Sequence, residues 1–409
     1  MTNSLKHAEI TKIAKKTIKK FKICDHCLGR IFAKIESGIS NKKRGEILRC
    51  KMKNAEKIEV KNCWLCKGLI DEINHFADLI SNSLKYYEYE TFLVGSKVDE
   101  DIIDRENKLF EYSGSEFTES IKSEINREVG KILEKKIEHE VNFKNPTIMV
   151  VIDTAFDVVK FQINSLFIYG RYKKFSRSIP QTKWFCKTCR GKGCKKCNYS
   201  GKMYETSVEE LVSKKFLEIT EGDDEAFHGC GREDIDVLML GNGRPFVLEI
   251  KNPKKRTFDL SKIEAEINTL YKDEIEVNGL RLSDRDEIKR IKAAGFKKTY
   301  KIVFKCKKPI NNEKLKKAIL SLRGTTIGQF TPSRVAHRRA NMIREKQIYN
   351  CSLESIDGTI ATLTLEAESG TYIKELVSGD DGRTKPSISE IIGAPCEVIE
   401  LDVIEIKGE

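Results

Sequence analysis

Gly231-Arg232-Glu233-Asp234-Ile235-Asp236-Val237 sets a carboxylate-rich segment directly before the apolar run Val237-Leu238-Met239-Leu240. That run reads as a strand. After the turn Gly241-Asn242-Gly243 comes a second one, Phe246-Val247-Leu248-Glu249-Ile250. Two such runs around a Gly-rich turn predict a β-hairpin. An Asp that enters a strand from a loop is carried by a rigid element and can still meet a ligand. Asp234 fits that description. Asp236, two residues on, shares its face if strand geometry already holds there. Two carboxylates that close repel unless a cation sits by them, and Arg232 or a more distant cation would supply it.

Downstream, helical and strand patterns alternate. Ile263, Ile267 and Leu270 form a helical stripe. Ser283-Asp284-Arg285-Asp286 opens another helix that Gly295 can end. Tyr300, Ile302 and Phe304 alternate with Lys301, Val303 and Lys305 as an amphipathic strand. Asn312 caps a further helix, with Leu315, Ile319 and Leu322 on one face. Asp357-Gly358 marks a hairpin, and Ile399, Leu401 and Val403 alternate with Glu400 and Asp402 in a last strand. Strand pairs separated by helices predict an α+β fold with a mixed, mainly antiparallel sheet flanked by helices.

Upstream, cysteines dominate. Eight of the thirteen fall into four Cys-x-x-Cys pairs, a metal pattern and not a disulfide framework. Cys24 and Cys27 with Cys63 and Cys66 offer four thiolates, the donor set of a closed structural zinc site. His26 could substitute for one ligand but reads as a bystander. Cys186, Cys189, Cys194 and Cys197 form a tighter group whose intervening glycines permit a sharp turn. It reads as a second zinc site or as a flexible reduced segment. Between the groups, Ile121, Ile125, Val129 and Ile132 mark a helix, Pro146 to Ile152 a buried strand, and Phe161 to Ile168 another. That strand runs into the basic, aromatic stretch Gly170-Arg171-Tyr172-Lys173-Lys174-Phe175-Ser176-Arg177, suited to phosphate contact and base stacking.

The chain of 409 residues is too long for one core. Its net charge of +12 gathers in clusters such as Lys42-Lys43-Arg44, Arg171 to Lys174, Lys251 to Arg256 and His337-Arg338-Arg339, the footprint of a polyanion partner. Its apolar runs fall far short of a membrane span, and its first twenty residues lack the apolar stretch of a signal peptide. A cytoplasmic protein, monomeric and off the membrane, is the expectation.

Gly231 to Val237, Gly241-Asn242-Gly243-Arg244-Pro245-Phe246 and Gly370-Thr371-Tyr372-Ile373-Lys374-Glu375 together resemble the tRNA pseudouridine synthases of archaea and eukaryotes that carry an N-terminal THUMP module. The resemblance implies isomerisation of uridine 55, and in archaea also uridine 54, without a cofactor for catalysis. It selects Asp234 as the essential carboxylate and Lys374 as its cation, and it implies an apolar residue, Leu376, below the base. It makes Tyr300 the active-site aromatic that stacks on uracil or handles the C5 proton. Arg232 and Tyr372 fall on the substrate side. Gln329 to Arg339 resembles the family's tRNA-gripping loop, which gives Arg334, Arg338 and Arg339 to phosphate. Arg171, Lys173, Lys174 and Arg177 fall to the THUMP-like RNA surface. Phe330 and Leu238 depart from the basic residues that family members carry there, usually at the first and often at the second. The expected division is a zinc-knuckle region over 1–70, a THUMP-like RNA-binding module over 71–200 that ends in the second Cys group, and a catalytic domain over 201–409.

Two other classes compete. A non-catalytic zinc-containing RNA-binding protein would explain the charge and cysteines, but not the set Asp234, Tyr300 and Lys374. A THUMP-bearing methyltransferase or thiolation enzyme would need a Gly-rich nucleotide loop after a strand, and Gly241-Asn242-Gly243 lacks the third glycine.

Overall fold

The structure is a computed structural model that describes residues 3–408 apart from 36, 53 and 339. Two compact units divide it, residues 1–164 with 254–256, and residues 165–253 with 257–409. No helix among the described residues is long and apolar enough to cross a membrane.

The first unit runs α1 (Asn3–Lys20), α2 (Asp25–Arg30), α3 (Asn41–Cys50), α4 (Ile73–Leu84), β1 (Thr91–Lys97), α5 (Glu100–Ser113), α6 (Ile121–Ile137), β2 (Glu140–Val141), β3 (Ile148–Asp153) and β4 (Val158–Ile163). Its sheet has the order β2-β1-β3-β4, parallel except for the β3–β4 hairpin. α6 forms because Ile121, Ile125, Val129 and Leu133 recur on one buried face and Ser120 caps its start by accepting from Ser123 N–H. One apolar cluster joins Cys24, Cys27, Cys63 and Cys66 to Phe92, Ile125 and Ile148. The expected separation at residue 70 is therefore absent: the Cys region and the α/β region share one core.

The second unit follows as β5 (Leu166–Lys174), α7 (Val208–Thr220), β6 (Asp224–Gly229), β7 (Leu238–Lys251), α8 (Leu260–Leu270), β8 (Ile275–Ser283), α9 (Arg285–Ala293), β9 (Lys297–Cys306), α10 (Asn312–Leu322), β10 (Thr326–Phe330), β11 (Ile343–Asp357), β12 (Ile360–Ala367), α11 (Ile373–Ser378), β13 (Thr384–Lys385), α12 (Ile388–Ile392) and β14 (Cys396–Lys407). Its sheet runs β13-β10-β11-β12-β9-β14-β7-β5-β8, with β6 also on β7. Only β14 against β7 is parallel, so the sheet is mixed and mainly antiparallel, as its alternating strands implied. Ile302, Leu363, Leu248, Leu376 and Val403 meet in its core, and Cys306 and Cys396 join β9 to β14 in a disulfide.

Three expectations need correction. The boundary falls at residues 164/165 and not near 200, because β5 pairs with β7 and β8 of the large sheet. The single strand read over Phe161 to Ile168 is two strands in two different sheets, broken at Asn164-Ser165. The hairpin at Gly241-Asn242-Gly243 does not form. β7 is one strand that bulges there, with β5 paired on both sides of the bulge. Gly241 has φ 60°, and a Cβ on it would lie 1.9 Å from Ile404 O, so this glycine serves the close approach of β14.

Candidate active site

Asp234 lies in the irregular segment before β7, half-buried. Its Oδ2 is 3.1 Å from Arg334 Nη1 and 3.4 Å from Lys374 Nζ. Lys374 is nearer Asp236, at 2.9 Å, whose side chain is 65% exposed against 38% for Asp234. Desolvation opposes ionisation of Asp236, and its bond to Lys374 outweighs that, so its carboxyl titrates below the usual range. The structure thus joins Asp234, Asp236 and Lys374, and adds Arg334.

Arg334 is held from behind by Glu375, whose Oε1 lies 2.6 Å from its Nε and whose Oε2 accepts from its Nη2 at 3.2 Å. Sequence reading gave Arg334 to phosphate; its guanidinium is engaged with two carboxylates of the site. The Lys374 segment is fixed by Gln329, fully buried on β10. Gln329 Oε1 accepts from Tyr372 N–H at 2.8 Å and its Nε2 donates to Tyr372 O at 2.9 Å. α11 then starts at Ile373 and carries Lys374 on its half-exposed side and Leu376 on its buried side. Leu376 is wholly within the core, whereas Tyr372 is half-buried.

Tyr300 lies on β9, opposite Leu365 and Val403. Burial pushes its phenol up to about 12, against a small opposing pull from Arg244. A phenol so held stays protonated near neutrality, which suits packing and hydrogen-bond donation better than proton removal. Lys298, two residues earlier on the same strand face, is equally buried; burial and the Arg244 charge bring its amine down to about 8. Its Nζ lies 3.5 Å from Ser369 Oγ, at the start of the Lys374 segment. Sequence reading missed Lys298, because nothing in Lys297-Lys298-Thr299 marks one lysine as buried.

The basic residues expected to meet RNA behave differently. Lys174 is fully buried and donates to Ile235 O at 2.7 Å and Ile179 O at 3.2 Å, so it cannot hold phosphate. Arg171 donates to Asn242 O and Gly243 O, at 2.7 and 2.8 Å. Arg177 donates to Asp236 O at 2.7 Å and pairs with Asp402, and Lys173 pairs with Glu276. All four belong to the large sheet and its edge, not to the first unit. Arg232 is exposed, with its guanidinium 5.1 Å from the centre of the Trp184 ring. Arg339 and the side chain of Arg338 lie outside the described residues.

Both Cys groups have metal-site geometry. A tetrahedral zinc with ~2.3 Å bonds separates its sulfurs by about 3.8 Å. Cys24 Sγ is 3.8 Å from Cys66 Sγ, and Cys27 Sγ 3.6 Å from Cys63 Sγ. In the second group the separations are 3.9 Å for Cys186 to Cys194, 3.8 Å for Cys189 to Cys197 and 3.7 Å for Cys194 to Cys197. Either group could hold a metal ion. The first is buried throughout, and the fully buried Arg30 donates to Cys27 Sγ at 3.6 Å, a charge opposed to four thiolates. The second is half-exposed on a loop of the large unit, so it does not end the THUMP-like module.

The family model described as "Pus10, C-terminal" matches residues 167–407, and that described as "Pus10 THUMP domain, archaeal" matches residues 76–153. A protein of Halorubrum lacusprofundi named tRNA pseudouridine synthase Pus10 is 38% identical over 414 residues, covering 98% of this chain and 97% of its own. The protein of that name from Methanocaldococcus jannaschii is 40% identical over 428 residues, covering 95% and 93%. Among solved structures, a Cbf5-Nop10-Gar1 complex aligns with a TM-score of 0.30 and 16% identity over 49% of this chain and 45% of that one, too loosely to argue from. The C-terminal match alone spans the start of β5 to the end of β14, more than half of the chain, and full-length relatives share 38–40% of the residues, so the chain belongs to the Pus10 family of pseudouridine synthases.

Proposed function

We propose that the protein isomerises uridine to pseudouridine in the T-arm loop of tRNA, at uridine 55 and also at uridine 54. The observation that carries the reading is the Asp234 carboxylate between Arg334, at 3.1 Å, and Lys374, at 3.4 Å. The reaction breaks the N1–C1′ bond, turns the uracil and joins C5 to C1′. The C5 proton is lost and N1 gains one, so no oxidant or metal enters the balance. Asp234 begins it, either by attack on C1′ or by taking the C2′ proton. The two cations lie against its negative charge. Tyr300 offers its neutral phenol to the released uracil, and the two Cys groups, with zinc, would hold structure only.

The test is to incubate the protein with unmodified tRNA transcript and map pseudouridine by chemical sequencing. Asp234→Asn is expected to leave tRNA affinity within about twofold and to abolish product, because the amide neither attacks nor accepts a proton. Turnover by Asp234→Asn together with an inactive Asp236→Asn would show that Asp236 is the reacting carboxylate.

A further inference from the structure

The segment that carries Asp234 has almost no regular hydrogen bonding of its own. It is nevertheless tied down at nearly every residue, and mostly from below. Cys230 O accepts from Arg244 Nη1 at 2.8 Å and Gly231 O from Gln181 Nε2 at 3.0 Å. Ile235 O accepts from Lys174 Nζ and Asp236 O from Arg177 Nη1, both at 2.7 Å. Glu233 turns inward, away from the side that Asp234 faces. Its Oε1 accepts from Tyr172 O–H at 2.7 Å, and its Oε2 sits 2.8 Å from Arg244 Nε as an ion pair off the N–H axis. Gln181 also donates to Tyr172 Oη at 2.8 Å.

Burial gives these contacts their weight. The side chains of Glu233 and Arg244 are each 1% exposed, and Lys174 is fully buried. A buried ion pair is poor value as pure stabilisation, since apolar residues of similar size would do as well or better. It does hold one geometry, because an unpaired alternative leaves a charge without solvent. Gly231, with φ 82°, holds a backbone conformation that favours glycine, and the ends of Lys298 and Arg244 approach it closely: a Cβ there would lie 2.7 Å from Lys298 Nζ and 3.1 Å from Arg244 Nη1. Tyr172 and Lys174 share one face of β5, so a single strand end presents two of the anchors in register.

We propose that Glu233, Arg244 and Lys174 are positioning residues: they form a buried charged cradle that fixes the backbone of the 230–236 segment and so aims the Asp234 carboxylate. This rests on Asp234 being the reacting carboxylate. The cradle touches no substrate. Its effect is on the rate once RNA is bound, since an error of about 1 Å in a reacting group costs on the order of a hundredfold.

Three full-length variants test it: Lys174→Met, which keeps length and loses the donor; Glu233→Gln, which keeps an acceptor for Tyr172 and loses the charge; and Arg177→Met, on a partly exposed side chain whose loss should not threaten folding. For each, the single-turnover rate at saturating tRNA transcript, the transcript's Kd and the folded fraction by circular dichroism are measured. The expected result is a rate per folded molecule lowered roughly 10- to 100-fold in the first two and about 3- to 10-fold in Arg177→Met, with Kd within about twofold of wild type. Wild-type rates in the folded variants would overturn the proposal. So would weakened Kd with an unchanged saturating rate, which would return these cations to RNA binding. If Lys174→Met fails to fold, the other two decide. A wild-type protein that makes no pseudouridine in any transcript would instead defeat the functional reading beneath it.

Discussion

Replacing Cys63 by Ser should dismantle the first unit and leave the second standing. Cys24, Cys27 and Cys66 are wholly buried and Cys63 is 1% exposed, all in the apolar cluster that contains Phe76, Leu133 and Val150. Structural zinc in small peptide sites contributes roughly 10–16 kcal/mol at neutral pH, as much as or more than the ~5–15 kcal/mol that holds a whole domain. A hydroxyl in place of one thiolate surrenders much of that and leaves three thiols in the core. Even about 5 kcal/mol at ~2–4 °C per kcal/mol lowers the unfolding temperature of this unit by more than ~10 °C. The second group differs in kind. Of its members only Cys186 is buried. Its loop is closed by Cys186 N–H donating to Gly201 O at 2.7 Å and by the Phe185–Lys202 bridge, apart from the sheet core. Cys194→Ser should cost about 1–2 kcal/mol, as loss of a local constraint does. The assay is zinc content by mass spectrometry with scanning calorimetry of the full chain. Two zinc ions are expected per wild-type chain, one in each variant, and a large shift of one transition in Cys63→Ser alone. Unchanged zinc content and an unmoved transition in Cys63→Ser would refute the reasoning.

Two further outcomes follow from the charges around Asp234. Arg334→Met removes the nearer cation at 3.1 Å; Coulomb attraction at that range near water is about 1–2 kcal/mol, and the 40% exposure of Arg334 reduces it, so turnover at saturating tRNA should fall about 3- to 10-fold. A loss confined to Kd would restore the phosphate-gripping role. For Lys298 and Lys174, burial sets the folded pKa at about 8, below the ordinary 10.5. Between these values the unfolded chain binds more protons, so their contribution to stability rises as pH rises, by up to about 3 kcal/mol for each. Denaturation of wild type should show this rise from pH 8 to 10, and Lys298→Met should remove roughly half of it. An identical slope in both proteins would place the Lys298 amine in solvent.

What sequence disclosed was local chemistry. The Cys-x-x-Cys spacing, the Asp before a strand, and the helical stripes of α6, α8 and α10 depend on neighbours a few residues apart; the structure gathers the cysteines and buries most of each stripe, but Leu270 at the end of α8 is 66% exposed and α6 buries Leu133 in place of Ile132. What it hid depends on partners far along the chain. Gly241-Asn242-Gly243 carries every local mark of a hairpin, yet its glycine answers to Ile404. Cys306 meets Cys396 ninety residues on, because β9 and β14 pair in that register. Ile399 keeps the strand alternation but is 51% exposed, since β14 shifts register between Val398 and Glu400.

The basic end of β5 shows the same limit in its sharpest form. Arg171, Lys173, Lys174 and Arg177 look like a surface made for phosphate, and composition cannot tell a cation that meets RNA from one that meets a carbonyl. The deciding fact is topological: β5 lies beside β7, whose preceding segment has carbonyls without strand partners. Carbonyls without strand partners need donors: the buried Lys174 supplies one to Ile235, and Arg177, just past the strand, supplies one to the exposed Asp236. The same logic separates the adjacent carboxylates of Gly-Arg-Glu-Asp. Glu233 has its charge met by Arg244 and Tyr172 in the interior, whereas Asp234 has its charge met by Arg334 and Lys374 at the half-exposed side. The two side chains point opposite ways, Glu233 into the interior and Asp234 to the half-exposed side, although no strand forms there. One peptide unit thus carries both a buried ion-paired carboxylate and the carboxylate proposed to react. Moving either by one position in sequence would exchange their environments and bury the carboxylate proposed to meet uridine.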